Sequence, residues 1–463
     1  MRTNVALNAY RNWLERQRAR GAARSGTLSR VLENTVWLLG GKAVGAILSL
    51  VYLGLATRTL GPDLFGQFVL ILGTGQAVGA VVTFSTWQVV VNYGMPHLHS
   101  GDRDALGRVL AFCIALDFGA ALLGCLIATI GVVLLGPALG WDATLSRDAL
   151  LFCFVMLLSF RSTAIGILRL HDRFGMAATA DSVTPIARLI GALVVVLLFR
   201  PSVTGFLIAW AVAELLTAAA HWVLALREAR GALVPAHWRG IVTAGRDNPG
   251  LWRFAAITNM GTTLNALGKQ FSVLLVGLVA GPAAAGGYRL AFQLGRALAK
   301  LSDLMSRSAF AELARVHVAH TAAQLRKLFR HATRFSVVAA VVIVALLLLI
   351  GKPALGLVAG RDYLSAYPLL LMLGTAAALD IGGSSFEPAL MATGRAATAF
   401  RLRLWSTIIQ AALLAALLPT WGVTGAAVAT LAASALSLLL FGIATWRLIY
   451  RTPAAEIGVP DGA

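Results

Sequence analysis

The sequence predicts an all-α integral membrane protein: twelve transmembrane helices in two six-helix bundles, related by a pseudo-twofold axis along the membrane normal. Three observations predict it. The first is composition: of 463 residues, 58% are hydrophobic and 13% charged, with a mean hydropathy of +0.78, whereas a soluble domain carries roughly 25% charged residues. The second is that apolar runs long enough to cross about 30 Å of hydrocarbon recur along the chain. The third is a repeat that relates the two halves. A soluble reading would need a single core far larger than domains build.

The runs fall at 34–57, 66–90, 108–135, 149–168, 176–199, 204–226, 254–279, 287–310, 335–350, 366–391, 397–418 and 424–446. Short connections such as Leu60-Gly61-Pro62, Gly136-Pro137, Gly281-Pro282 and Pro419-Thr420-Trp421-Gly422 stop one helix and start the next. With the N-terminus in the cytoplasm, twenty-three of the 39 Lys and Arg fall in cytoplasmic segments. Only five, Arg58, Arg147, Arg200, Lys352 and Arg361, then fall in external loops. This is the positive-inside bias. It alternates loop by loop, which supports an even span count with both termini cytoplasmic. The division that follows is a basic cytoplasmic tail at 1–33, bundles at 34–226 and 254–446, a cytoplasmic linker at 227–253 and a second tail at 447–463. The basic opening does not read as a cleavable signal peptide. Its few apolar residues (Val5, Leu7, Tyr10, Leu14) allow it to lie on anionic lipid or to serve only as a topology signal. Cys113, Cys125 and Cys153 all sit within apolar runs and read as small core hydrophobes.

The halves match at an offset near 220. Leu60-Gly61-Pro62-Asp63-Leu64-Phe65-Gly66-Gln67-Phe68 aligns with Ala280-Gly281-Pro282-Ala283-Ala284-Ala285-Gly286-Gly287-Tyr288, and Val203-Thr204-Gly205 with Val423-Thr424-Gly425. Each half holds an even number of spans, so the halves share orientation. That is a known transporter plan, with substrate bound between the halves.

The eighth run carries the most informative polar pattern. Arg289, Gln293, Arg296, Lys300, Asp303 and Arg307 recur at spacings of 4, 3, 4, 3 and 4, which places them on one helix face. A charge at the bilayer centre costs about 2.5–3.5 kcal/mol, against about 0.3–0.6 returned by a leucine. Such a face must therefore turn to water or to ionic partners inside the protein. Milder polar stripes mark the second run (Gln67, Thr74, Ser85, Gln88, Asn92), the seventh (Asn259, Thr262, Asn265, Lys269) and the first (Lys42, Ser49, Tyr52). A central cationic cavity between the halves accounts for them together, although neutral polar residues also glue helices. The cavity candidates are Lys42, Gln67, Asn259, Asn265, Lys269, Arg289, Gln293, Arg296 and Lys300. Glu214, Asp380 and Glu387 lie within apolar runs and are candidates for ion coupling. Arg161 and Arg188 are expected to pair with Asp181, and Asp117 to lie shallow and reach the interface.

Chemistry of other classes finds no motif. Gly73-Thr74-Gly75-Gln76-Ala77-Val78-Gly79 sits inside a span and reads as helix packing. There is no P-loop and no metal-ligand spacing, and no cofactor is expected. The net charge of +19 is largely topogenic. It suits anionic lipid or a phosphorylated lipid substrate and not nucleic acid.

The segment Arg58-Thr59-Leu60-Gly61-Pro62-Asp63-Leu64-Phe65-Gly66, preceded by Asn34-Thr35-Val36-Trp37, resembles the bacterial polysaccharide (O-antigen type) flippases. These belong to the multidrug/oligosaccharidyl-lipid/polysaccharide exporter superfamily. The resemblance spans roughly residues 31–450. It implies an inner-membrane flippase, not an enzyme, that moves a polyprenyl-pyrophosphate-linked oligosaccharide by alternating access. It also implies an anionic lipid-linked substrate, with a polysaccharide polymerase and assembly proteins as partners. The alternatives are an ion-coupled multidrug antiporter or a lipid II flippase of the same superfamily. From another class comes a membrane glycosyltransferase or polymerase, which would need a larger external loop bearing catalytic acids.

Overall fold

The computed structural model describes residues 26–229, 241–297, 322–384, 386–387, 390 and 395–451, and these contain helices and no strand. The run Gly26–Val82 breaks at Gly61, whose φ of 72° and ψ of 176° lie in a region reserved for glycine. The break divides it into α1 (26–60) and α2 (62–82). There follow α3 (Thr86–Ser100), α4 (Arg103–Leu135), α5 (Ala143–Leu158), α6 (Ser162–Leu170), α7 (Phe174–Leu198) and α8 (Val203–Glu228). Then come α9 (Ile241–Asp247), α10 (Leu251–Ala280), α11 (282–297), α12 (Ala322–Ala359) and α13 (Tyr367–Gly382). The last run, Ala396–Arg451, breaks at Gly422 (φ 58°) into α14 (396–421) and α15 (423–451).

Eight helical stretches among the described residues are long and apolar enough to cross a bilayer. Two of them, 57 and 51 residues long, exceed twice the ~20 residues that one crossing takes and contain the glycine breaks. Leucines such as Leu134 on α4 and Leu198 on α7 are 69% and 74% exposed, as lipid-facing side chains are. The chain is an all-α, multi-pass membrane protein.

Two expected spans are not continuous. The second breaks at 83–85 and the fourth at 159–161. Both breaks meet at Asp117 on α4, which is buried where a side chain reaching the interface was expected. The Thr86 hydroxyl donates to Asp117 Oδ1 at 2.9 Å, and the Thr163 hydroxyl and backbone N–H both donate to Oδ2, at 2.7 and 3.1 Å. One carboxylate thus takes donors at the starts of both α3 and α6, where a helix leaves N–H groups unsatisfied and its dipole favours negative charge.

The matched turns share a conformation. Gly281 adopts φ 86° and ψ 171°, close to Gly61, and each is followed by the proline that opens the next helix. The two turns also pack together. A Cβ on Gly66 would overlap the Pro282 carbonyl, and one on Gly286 would lie 3.2 Å from Gly66 Cα. Along the same seam Leu70 of α2 fills the space above Gly277 of α10. Nearby, Phe65 meets Tyr363 edge to face at 6.0 Å, and the Arg58 guanidinium donates to the carbonyls of Gly356 and Leu357. This end of the molecule is closed by small residues and aromatic rings.

Candidate binding site in the membrane interior

Following the α2–α10 seam inward, leucine and glycine give way to amides. Arg289, near the start of α11, lies deep among the helices yet keeps some accessible surface. It donates to Gln270 Oε1 of α10 at 3.1 Å and to Gln76 Oε1 of α2 at 3.0 Å. The second bond crosses from the C-terminal to the N-terminal half. Among the described residues, the charged groups that act on it are Arg296 and Arg188, both of which repel it. Among the described residues no carboxylate bonds to it.

The N-terminal half treats its own arginines differently. Glu214 of α8 is buried and accepts from Arg161 at 2.7 Å and from Arg188 of α7 in a close ion pair. Arg188 also stacks on the Trp210 ring, with its guanidinium carbon 3.5 Å from the ring centre. That stacking suits a weakly hydrated, planar cation. Asp181, the partner expected for these arginines, instead lies 3.3 Å from His221 Nε2.

The C-terminal half encloses a polar cavity of about 280 Å³. Ser272, Tyr288, Arg296, Asp380, Glu387 and Arg403 are among its lining residues. Glu387 and Arg403 form a close ion pair in its wall, each about 30% exposed (30% and 31%). Tyr288, fully buried, bonds Thr430 at 2.9 Å. Among the described residues no group of three or more His, Cys, Asp or Glu comes together as a metal site would require.

The sequence candidates distribute as follows. Arg296, Asp380 and Glu387 share the C-terminal cavity, with Arg289 near Arg296. Gln293, Gln67 and Asn259 are part-buried on α11, α2 and α10. For Lys42, Asn265 and Lys269 the description covers their helices and not their side chains, and Lys300, Asp303 and Arg307 lie outside the described residues. The structure adds Gln76, Gln270, Arg161, Arg188 and Arg403. Gln76 is nine residues from Gln67, about two and a half turns, and so sits on the opposite face of α2 from the stripe read in the sequence.

The model of the family described as "polysaccharide biosynthesis protein" matches residues 31–310. Inner membrane protein YghQ of Escherichia coli (strain K12) is 29% identical over 350 residues, which cover 74% of this chain and 97% of that relative. The fold is similar to solved structures at low identity. One, an inward-facing multidrug resistance MATE family transporter of the MOP superfamily, aligns with TM-score 0.66 and 14% identity over 88% of this chain and 96% of its own. Another, the lipid II flippase MurJ in an inward closed conformation, aligns with TM-score 0.59 and 13% identity over 91% and 89%. A MOP superfamily transporter from Pyrococcus furiosus, described as having a binding pocket of reverse polarity, aligns with TM-score 0.56 and 14% identity over 90% and 96%. With more than half of its length matched by that family's model, the chain belongs to the polysaccharide biosynthesis protein family.

Proposed function

We propose that this chain is a flippase of the bacterial inner membrane. It carries a polyprenyl-pyrophosphate-linked oligosaccharide between leaflets for surface polysaccharide synthesis. The observation that carries the reading is Arg289, a deep cation held by two neutral amides and flanked by two further arginines. A buried charge without an opposite charge is costly, and an anionic headgroup supplies the missing partner. Arginine grips phosphate oxygens through paired hydrogen bonds. Membership of a polysaccharide biosynthesis family supports the substrate class. The inner-membrane relative supports the location, and the fold shared with a transporter and a lipid flippase supports the mode of action.

In this reading the chain crosses the bilayer twelve times with both termini cytoplasmic, as bundles 34–226 and 254–446 joined by the linker at 227–253. The headgroup binds where α2, α10 and α11 meet, while the polyprenyl tail stays in lipid. Rocking of the bundles about the sealed Gly66–Gly286 contact then exposes the site on the other side. Of the three carboxylates, Asp380 is the proposed coupling site. It is exposed on the cavity wall, where an ion from the aqueous cavity reaches it. The same carboxylate-bearing cavity favours, as a second reading, an ion-coupled drug antiporter, which a deletion strain with altered drug sensitivity and intact surface polysaccharide would select.

The test is the Arg289→Gln/Arg296→Gln variant in a strain that depends on this chain for surface polysaccharide. At wild-type protein level it should export none. Full export would end the assignment.

A further inference from the structure

A second opening lies on the lipid-facing side of the C-terminal half. It is a groove of about 1440 Å³ between α12 and α15, floored by α13. Its walls are apolar and open: Val338, Val341 and Leu348 are 60%, 63% and 60% exposed, and Leu439 and Ile443 are 61% and 51%. Gly382 and Gly442 are among its lining residues and add no side chain to it. One end differs in chemistry. Arg330, Arg334 and Arg447 all line it there, among the described residues no carboxylate does, and Trp446 stands beside them at 57% exposure.

Depth locates these arginines. In the sequence the charge-free stretch of α12 begins directly after Arg334, and that of the last helix ends directly before Arg447. The three guanidinium groups therefore ring one boundary of the hydrocarbon, the side that the Lys/Arg bias assigns to the cytoplasm. Trp446 occupies the level where Trp concentrates in membrane proteins. From Arg334 to Leu348 the groove runs about 21 Å at 1.5 Å per residue, a little more than the ~15 Å of hydrocarbon in one leaflet.

We infer that this groove is a binding site for an anionic glycerophospholipid of the leaflet on that side, its phosphate held by Arg330, Arg334 and Arg447 and its acyl chains along α12 and α15. The charge complement favours a phosphate over a zwitterionic headgroup. A groove little longer than one leaflet suits acyl chains and not a long polyprenyl tail. The site is separate from Arg289 and does not depend on the flippase reading. It does share a wall with the polar cavity, since Leu379 and Leu438 line both.

The test is native mass spectrometry of the full chain exposed to equimolar phosphatidylglycerol and phosphatidylcholine with matched acyl chains. The wild type should retain phosphatidylglycerol selectively. Each arginine near the headgroup is worth roughly fivefold, the equivalent of about 1 kcal/mol. The combined Arg330→Gln/Arg334→Gln/Arg447→Gln variant should therefore lose the preference almost entirely. A second variant, Gly442→Leu, fills the groove without touching charge. A Cβ there sits at ordinary contact distance, 3.5 Å from Phe386, and retention of both lipids should fall. Selectivity unchanged in the triple variant, retention unchanged in Gly442→Leu, or displacement of phosphatidylglycerol by equimolar polyprenyl phosphate would each overturn the inference.

Discussion

Two arginine sites lie within the helices and are settled in opposite ways. Arg188 and Arg161 share Glu214, and Arg188 adds an aromatic face. Arg289, repelled by Arg188, bonds two glutamine oxygens and, among the described residues, no carboxylate. At the first site both arginines reach a carboxylate within the protein, held between the start of α6, α7 and α8. The second is left with a surplus of positive charge at the seam between the halves. The difference separates structure from function: a cluster built around its own carboxylate holds helices together, and one built on neutral amides waits for an anion.

Removing the carboxylate from the first site should have the largest effect. Glu214→Gln leaves two arginines without an opposite charge and should destabilise the protein by about 3–5 kcal/mol, measured by denaturation in detergent. Arg289→Gln should leave stability unchanged or raise it; an equal loss in both variants would erase the distinction drawn here. Gly66→Leu comes next. Overpacking against the Pro282 carbonyl should cost about 1–3 kcal/mol. It should also open the sealed end, so that a cysteine replacing Gln76 becomes labelled from the Gly61 side. Asp117→Ala should cost about 1–3 kcal/mol by orphaning buried donors, read as faster hydrogen exchange at the starts of α3 and α6. The smallest effect belongs to Glu387→Gln. Its ion pair is about 30% exposed, so the stability change should stay within about 1 kcal/mol. Any large loss of transport there would then reflect the cavity and not the fold.

The helical membrane class and the glycine breaks at Gly61 and Gly281 were legible because their causes are local: apolar length, and a Gly-Pro pair that stops a helix. Arg289 was legible because a periodic cation in an apolar run has few places to go. Its partners were not. Gln76 lies on the face of α2 opposite Gln67, and only the rotation of α2 against α11 brings it within bonding distance. Glu214, rather than Asp181, takes Arg161 and Arg188 for the same reason: the choice depends on how the start of α6, α7 and α8 pack together. The breaks at 83–85 and 159–161 contain neither glycine nor proline. They meet at Asp117, remote from both in sequence.

The most direct test of the account is equilibrium binding of a polyprenyl pyrophosphate to the purified chain, comparing wild type with Arg289→Gln and Arg289→Lys. The account predicts at least roughly tenfold weaker binding in Arg289→Gln, the equivalent of about 1.4 kcal/mol, with Arg289→Lys between the two. Equal affinity in all three would contradict it.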